Sequence, residues 1–401
     1  MREYNVDVLI FGGGIAGLFC LDKLVRDCYN AYLIEKSALG NGQTVCSQGI
    51  IHGGMKYVTA YLAGTAAGFS KHLREMPAQW HEMLSGKRKP DLSSAKVYSQ
   101  NCLFWTLNQG GMLADAKALI ATAGLNSLTE LLKGDSIPEV LKHARRVYAI
   151  NETVVDCLSL LEVIANEHQH KIGTCTKTEF INDTSSGQVS VTRAVLDEKI
   201  CIKPQLIVFA AGEGNEYLAR AVGVQNPVLK RLPLHQAYLV SNKLPLLYGH
   251  QIAGDTTGKE GPQITITTHL RNGVRAWNIG GKPAEQGVNQ SASELEENMR
   301  KILNTSFPDL RSVFDSARFG SFKIDRAEMW TPDKSRITDP VVRQIGKNVF
   351  VVYPTKFAFA PLLADWLFEA VKSVKPATKD FVEGLIPACI GKNPWHFTKK
   401  S

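Results

Sequence analysis

Three glycines carry the first recognisable chemistry. Gly12, Gly14 and Gly17 stand at G-x-G-x-x-G spacing directly after the apolar run Val6-Asp7-Val8-Leu9-Ile10-Phe11. Gly12 permits a tight turn, Gly14 lets the backbone approach a pyrophosphate, and Gly17 lets the following helix pack close to the strand. The turn, with Ile15 and Ala16 inside it, presents unpaired N–H groups and the positive end of a helix dipole to phosphate oxygens. Glu35 ends a second apolar run, Ala31-Tyr32-Leu33-Ile34. A carboxylate there accepts hydrogen bonds from ribose hydroxyls and opposes a 2′-phosphate. Together these residues imply dinucleotide binding; a purely structural glycine turn is the competing reading.

The elements that must hold them follow in the required order. The run 6–11 is short, β-branched and ended by glycine, as a buried parallel strand is. Leu18, Leu21, Leu24 and Val25 then recur at helical spacing, and 31–34 supplies the second strand. Strand, glycines, helix, strand and terminal acid form a βαβ unit.

With 401 residues the chain has room for two domains or one large discontinuous one. No apolar stretch reaches transmembrane length, and no secretory leader pattern is visible, so a cytoplasmic protein is expected. Membrane contact is expected to be peripheral at most. The formal charge of +8 includes only short basic runs, Lys87-Arg88-Lys89 and Lys399-Lys400. Neither is an aromatic-interleaved stripe, so no nucleic-acid partner is expected; the surplus suits anionic cofactors and substrates. None of the eight cysteines forms C-x-x-C, and no His/Cys spacing suggests a metal. Several lie in apolar runs and are expected to be reduced core thiols; Cys46, inside the opening stretch, is the exception that could lie near a cofactor, with packing the favoured reading.

Composition predicts a mostly helical stretch over 58–145, with helices at Leu113–Ala123 and Ser127–Leu132. His72, His81 and His143 lie there without ligand-like partners and are expected in surface or packing roles. A helix is predicted over Leu158–His168, then strands near Thr174–Ile181 and Ser190–Asp197. Another buried strand runs from Gln205 into Ala210-Ala211-Gly212, followed by a helix from Glu216 to Val222. Residues 228–325 change to alternating β patterns, at Gln236–Ser241, Gln263–His269 and Ala276–Gly280, before a helix at Ser293–Leu303 and a strand at Phe319–Asp325. The run Val349–Tyr353 is one more buried strand leading into a helix, Ala360–Val371, and the tail after Pro376 is expected to be a surface appendage.

Four landmarks carry a resemblance. They are the N-terminal βαβ unit, the stretch from Thr44 through His52-Gly53-Gly54-Met55-Lys56-Tyr57, the Ala210-Ala211-Gly212 turn, and Arg326 through Pro361. This pattern resembles the D-amino-acid-oxidase-like superfamily of FAD oxidoreductases, especially glycerol-3-phosphate and L-2-hydroxyglutarate dehydrogenases. The second landmark is similar to the family's flavin loop ending in I-H-G-G-x-R/K-Y, and Asp325-Arg326-Ala327-Glu328-Met329-Trp330-Thr331-Pro332-Asp333 to its R-P-x-T-P-D segment. The implied fold is α/β. A discontinuous Rossmann-like FAD-binding domain (1–75, 146–227, 326–375) would carry an inserted α+β substrate domain on an antiparallel sheet (76–145, 228–325), with 376–401 as a tail.

The resemblance implies non-covalent FAD. Gly12, Gly14 and Gly17 would hold the pyrophosphate, Glu35 and Lys36 the adenosine ribose, and the backbone near Glu179-Phe180 the adenine. Thr44 and Ser47-Gln48-Gly49 would approach the pyrophosphate and flavin, Gly212 would pack beside the cofactor, and Thr355 and Lys356 would sit at the pyrimidine end. His52 becomes the candidate base, since a neutral imidazole accepts a proton near pH 7. Lys56, Arg326 and Lys356 would surround an anionic group, and His235 would face the substrate. The implied reaction is oxidation of a CH–OH or CH–NH group in a small anionic substrate, with oxygen, quinone or a protein as electron acceptor.

Departures from the family pattern bear on the substrate. Lys56 replaces Arg, Pro354-Thr355 replaces paired glycines, and Ala358-Phe359-Ala360-Pro361 is more apolar than the family's run. They point away from glycerol 3-phosphate. A catalytically silent FAD-binding assembly protein and a flavoenzyme acting on a nucleic-acid base are the other readings left open.

Overall fold

The computed structural model describes residues 2–54, 70–107, 129–185, 187–252, 264–271, 273–333 and 335–395. Two large sheets dominate it. In the first, the strands run in the order Val341–Gln344, Val349–Tyr353, Ile200–Phe209, Arg2–Phe11, Ala31–Glu35 and Ile172–Thr174. All of these pairings are parallel except the one involving Val341–Gln344. The register sets Phe11 level with Ile34 and Phe209, and Phe209 level with Val351. The turns after these residues therefore open along one carboxyl edge, where doubly wound sheets bind ligands.

The parallel strands are apolar on both faces because both are covered, one by helices and the other by a short helix and a β-meander. Ile15–Arg26, Cys157–Glu167 and Ala360–Val371 bury leucines against Val8, Ile10 and Val208 on one face. On the other, Leu9, Phe11, Ile207 and Phe209 pack with Ala219 and Val222 and with a meander of Thr178–Asp183 and Ser190–Leu196.

The second sheet runs Arg318–Met329, Leu229–Val240, Val274–Gly281, Ile264–Arg271, Tyr248–Gln251, Cys102–Thr106, Arg146–Ile150 and Thr129–Leu131. It is antiparallel apart from the pair Tyr248–Gln251 and Cys102–Thr106. One face packs Ala237, Leu239, Ile266, Trp277 and Ile279 on the helix Ala292–Ser306. The opposite face turns toward the first sheet.

Several expectations change. Within 58–145 the described residues include three strands of the second sheet or its neighbour, Val97–Ser99, Cys102–Thr106 and Thr129–Leu131, so the mostly helical reading fails. The predicted helix Ser127–Leu132 is replaced by the last of these. Its Leu-rich composition had suggested helix, but cross-strand pairing with Tyr148 and Ala149 decided its conformation. The predicted helix at 113–123 lies outside the described residues. Met76–Leu84, assigned to the substrate domain, packs instead in the nucleotide-binding core: Trp80 donates to the Ala358 carbonyl at 2.8 Å and lies against Phe19. Arg146–Ile150, assigned to the FAD-binding domain, is a strand of the second sheet.

The tail after Pro376 is no appendage. Buried Asp7 accepts hydrogen bonds from the backbone of Ala377 and Thr378 and from the Thr378 hydroxyl, each at 3.0 Å. Ile386 then bridges Thr174 and Ile390 bridges Leu39, and Trp395 is buried against His269, Tyr238 and Phe322. The tail thus runs from the first sheet to the inner face of the second. No helix among the described residues is long and apolar enough to cross a membrane.

Candidate active site

At the phosphate end the glycines are required by space. Gly12 has φ +112°, and a Cβ there would lie 2.5 Å from the Ala211 Cα. A Cβ on Gly17 would lie 1.9 Å from the Gly12 carbonyl oxygen. Gly14 stands immediately before the helix and offers it no side-chain cap. Thr44 reaches across instead, its hydroxyl accepting from the Ile15 N–H at 3.1 Å. Glu35 accepts from the Gly13 N–H at 2.6 Å and from the Ser37 N–H at 3.0 Å, so its carboxylate sits beside the turn. Lys36 is exposed next to it.

Gly212 has φ +57°, and its nearest approach is to the side chain of Gln43, at the start of the helix Gln43–Cys46. The structure therefore brings Gly12, Gly14, Ile15, Ala16, Gly17, Glu35, Thr44 and Gly212 to one carboxyl edge. Phe180 sits in the meander with its ring edge-on to Phe11 at 5.3 Å, so the ring itself is core.

The reacting end begins with Ser47-Gln48-Gly49. Ser47 shares a hydrogen bond with the Cys157 thiol at 3.1 Å. Burial pushes the Cys46 and Cys157 thiols up to about 12, so both are protonated packing groups, as expected for Cys46. Gln48 donates to the carbonyls of Thr265 and Asn278 at 3.0 and 3.2 Å, tying the loop to the second sheet. Gly49 has φ +66° and no room for a side chain, because a Cβ would meet the Val155 carbonyl at 2.2 Å.

His52 follows at the loop's end. Its Nδ1 lies 3.1 Å from Glu152 Oε2, while Glu152 Oε1 accepts from the Gly53 N–H at 2.7 Å. The imidazole retains 15% side-chain exposure, against 4% for the carboxylate behind it. His250, fully buried, lies against the ring at 5.6 Å between centroids and bonds through Nδ1 to the Thr265 hydroxyl at 2.7 Å. A partly exposed imidazole oriented by a buried carboxylate is suited to accept a proton.

The remaining candidates divide. Lys356 donates to the Thr338 carbonyl at 3.0 Å, and Thr355 beside it has φ +57°. A β-branched residue in that left-handed region is a backbone outlier, of the kind that gathers at ligand sites. Arg326 makes an exposed pair with Glu285 at 3.4 Å. His235 is held elsewhere: Nδ1 bonds to the Gly287 carbonyl at 3.1 Å and Nε2 to the Ser321 hydroxyl at 3.0 Å. It shares a strand face with Ala237 and Leu239, toward the helix layer, because successive side chains alternate. Its neighbour Gln236 faces inward, and its amide and that of Gln48 both lie beside Gly280. Lys56 lies outside the described residues.

Sequence reading missed Glu152, His250 and Gln236, which no spacing connects to the loop. It also passed over Asp7, a charged residue in an otherwise apolar strand, which was the available signal for an anchor.

A turn in which Gly12 and Gly17 have no room for a Cβ, a carboxylate at the second strand's end and the His52–Glu152 pair on the loop beyond are arranged as a dinucleotide-dependent enzyme requires. The family model described as FAD dependent oxidoreductase matches residues 7–370, and the chain belongs to that family. It is 32% identical over 371 residues to the Probable FAD-dependent oxidoreductase PA4991 of Pseudomonas aeruginosa, covering 91% of this chain and 90% of that one. The crystal structure of PA4991 superposes with a TM-score of 0.82 over 98% of both chains, at 27% identity. The FAD-bound L-alpha-glycerophosphate oxidase of Mycoplasma pneumoniae shares the fold, with a TM-score of 0.64 at 17% identity over 95% of this chain and 98% of that one.

FAD fits the residues present. Gly12 and Gly17 let the turn pack tightly enough to set the helix Ile15–Arg26 directly behind it, and the Glu35 carboxylate lies beside the turn at the end of the second strand, the position from which an acid receives ribose hydroxyls.

Proposed function

We propose that this oxidoreductase removes hydride from a CH–OH or CH–NH carbon of a small anionic substrate, with His52 taking the proton from the adjoining oxygen or nitrogen. FAD, when bound, supplies the hydride acceptor. The observation that carries the reading is the partly exposed His52 imidazole at the end of the cofactor loop, oriented by buried Glu152. If Nδ1–H is donated to the carboxylate, the lone pair is on Nε2, and that atom receives the proton.

Lys356 and Arg326 supply the positive charge for the substrate's anion. Lys356 donates to the Thr338 carbonyl at 3.0 Å. Arg326 pairs with Glu285 at an exposed position, a contact worth little, which an incoming carboxylate or phosphate can replace. The same reading gives Lys36 a place beside the adenosine, the Glu179-Phe180 backbone the adenine, and Lys56 a contact with the substrate. A cytoplasmic location fits it. The electron acceptor is oxygen, a quinone or another protein.

The test is anaerobic mixing of the FAD-loaded protein with hydroxy acids, amino acids and polyol phosphates while flavin absorbance is followed. At least one class should bleach the flavin, and His52→Ala should slow that bleaching by about 100-fold or more. Normal FAD binding with no bleaching by any of them would reject substrate oxidation; an unchanged rate in the variant would reject His52.

A further inference from the structure

Glu152 is buried, and a buried carboxylate needs partners for both oxygens. Two of its partners are the His52 ring, at Oε2, and the Gly53 N–H, at Oε1. The backbone enforces this arrangement. Ile50 bridges Val154, the Ile51 N–H donates to the Thr153 carbonyl at 2.8 Å, and the Val155 N–H donates to the Gly49 carbonyl at 2.9 Å. This short antiparallel ladder brings residue 152 opposite residue 52 across 100 positions of sequence.

We propose that Glu152 is the positioning residue of His52, a role that rests on His52 being the base. It holds the tautomer with Nδ1–H toward the carboxylate and stabilises the imidazolium that forms. The proton balance is simple. The substrate O–H or N–H bond breaks, its proton joins His52 Nε2, and Nδ1–H stays on the ring, so Glu152 remains ionised throughout. Titratable side chains facing the ring include Glu152, from the turn after Ile150, and His250, from the strand Tyr248–Gln251. His250 and Phe104, 5.0 Å apart between ring centroids, form an aromatic wall beside the imidazole that opposes its rotation. The asymmetry of exposure gives direction: the imidazole retains some exposure and the charge that steadies it is the more buried of the two.

The experiment is 15N NMR of histidine-labelled, FAD-loaded protein, with His52 assigned from the spectrum of His52→Gln. In the native chain His52 should show the Nδ1–H tautomer. In Glu152→Gln the tautomer populations should shift, and the midpoint of the ring's titration should fall by about one pH unit or more. Glu152→Asp should restore the native tautomer, which a merely structural role would not demand, and it also serves if the Gln variant fails to fold. An unchanged His52 tautomer and titration in Glu152→Gln would overturn the proposal. A shifted spectrum together with native-rate bleaching in His52→Ala would instead leave the pair intact and defeat the base assignment, so the two failures are distinguishable.

Discussion

The phosphate end of the groove and its reacting end are built at different sequence ranges. Glu35 meets the glycine turn across 22 residues, inside one βαβ unit. His52 meets its carboxylate across 100, and Gln48 meets Thr265 across 217. At the first end, residue type and backbone conformation alone fix the geometry: Gly12 and Gly17 cannot carry a Cβ. At the second, Gly49 likewise has no room for a side chain, but the polar groups are set by which distant segments pair. Evolution of substrate preference is therefore easier at the reacting end, where polar groups ride on a separate sheet and can change without disturbing the cradle.

The sharpest way to break that contrast is Gly17→Ala. With 1.9 Å between the new Cβ and the Gly12 oxygen, strand and helix must separate. We expect a loss of about 3 kcal/mol or more in denaturant unfolding, with FAD no longer retained on gel filtration. Glu152→Gln at the other end should keep its FAD. If Gly17→Ala retained the flavin and its unfolding midpoint, the cradle would not be the rigid end.

A smaller effect is expected at Asp7, which ties the tail to the first sheet. Besides Ala377 and Thr378 it accepts from the Asn30 N–H at 2.8 Å and from the Gln205 amide at 2.7 Å. Asp7→Ala leaves these donors without their acceptor and should cost about 2–3 kcal/mol. Amide exchange should then rise first in residues 377–391, because their anchor is gone. Exchange confined to other segments would show that Trp395, rather than Asp7, holds the tail.

Legibility from sequence followed the same division. The βαβ unit, the strand Val349–Tyr353 and the helix Ala360–Val371 were readable because hydrophobic period, glycine and flanking residues all agree locally. The strands at 102–106 and 129–131 were not, since their conformation comes from partners at 248–251 and 146–150 rather than from their own composition. His52 was reached only through resemblance. Glu152 carried no signal, because a single acid before a Thr-Val-Val run is ordinary until the fold sets it against the loop. His235 shows the converse: its residue type invited a substrate role, and strand alternation turned it to the helix layer.

Two histidines, one on the loop and one on the second sheet, give the finest test of what is function and what is packing. His52 stays partly exposed, whereas His269 is buried under Trp395, 4.4 Å between centroids, with Nε2 on the Thr267 hydroxyl at 3.3 Å. Burial lowers the His269 titration from 6.5 to about 4, so the folded protein holds it neutral. Below pH 6.5 the unfolded chain binds a proton that the folded chain refuses, so its contribution is present above that pH and is lost progressively down to about 4. At pH 5.5, one unit below the unfolded value, the loss is roughly 1 kcal/mol. His269→Gln cannot be protonated there. Its stability should fall less than that of the native chain between pH 7 and 5.5, by about that amount, in urea titrations at the two values. Parallel losses in both proteins would mean that the acid sensitivity of the inner face comes from another group, and that His269 opens to solvent as readily as His52 does.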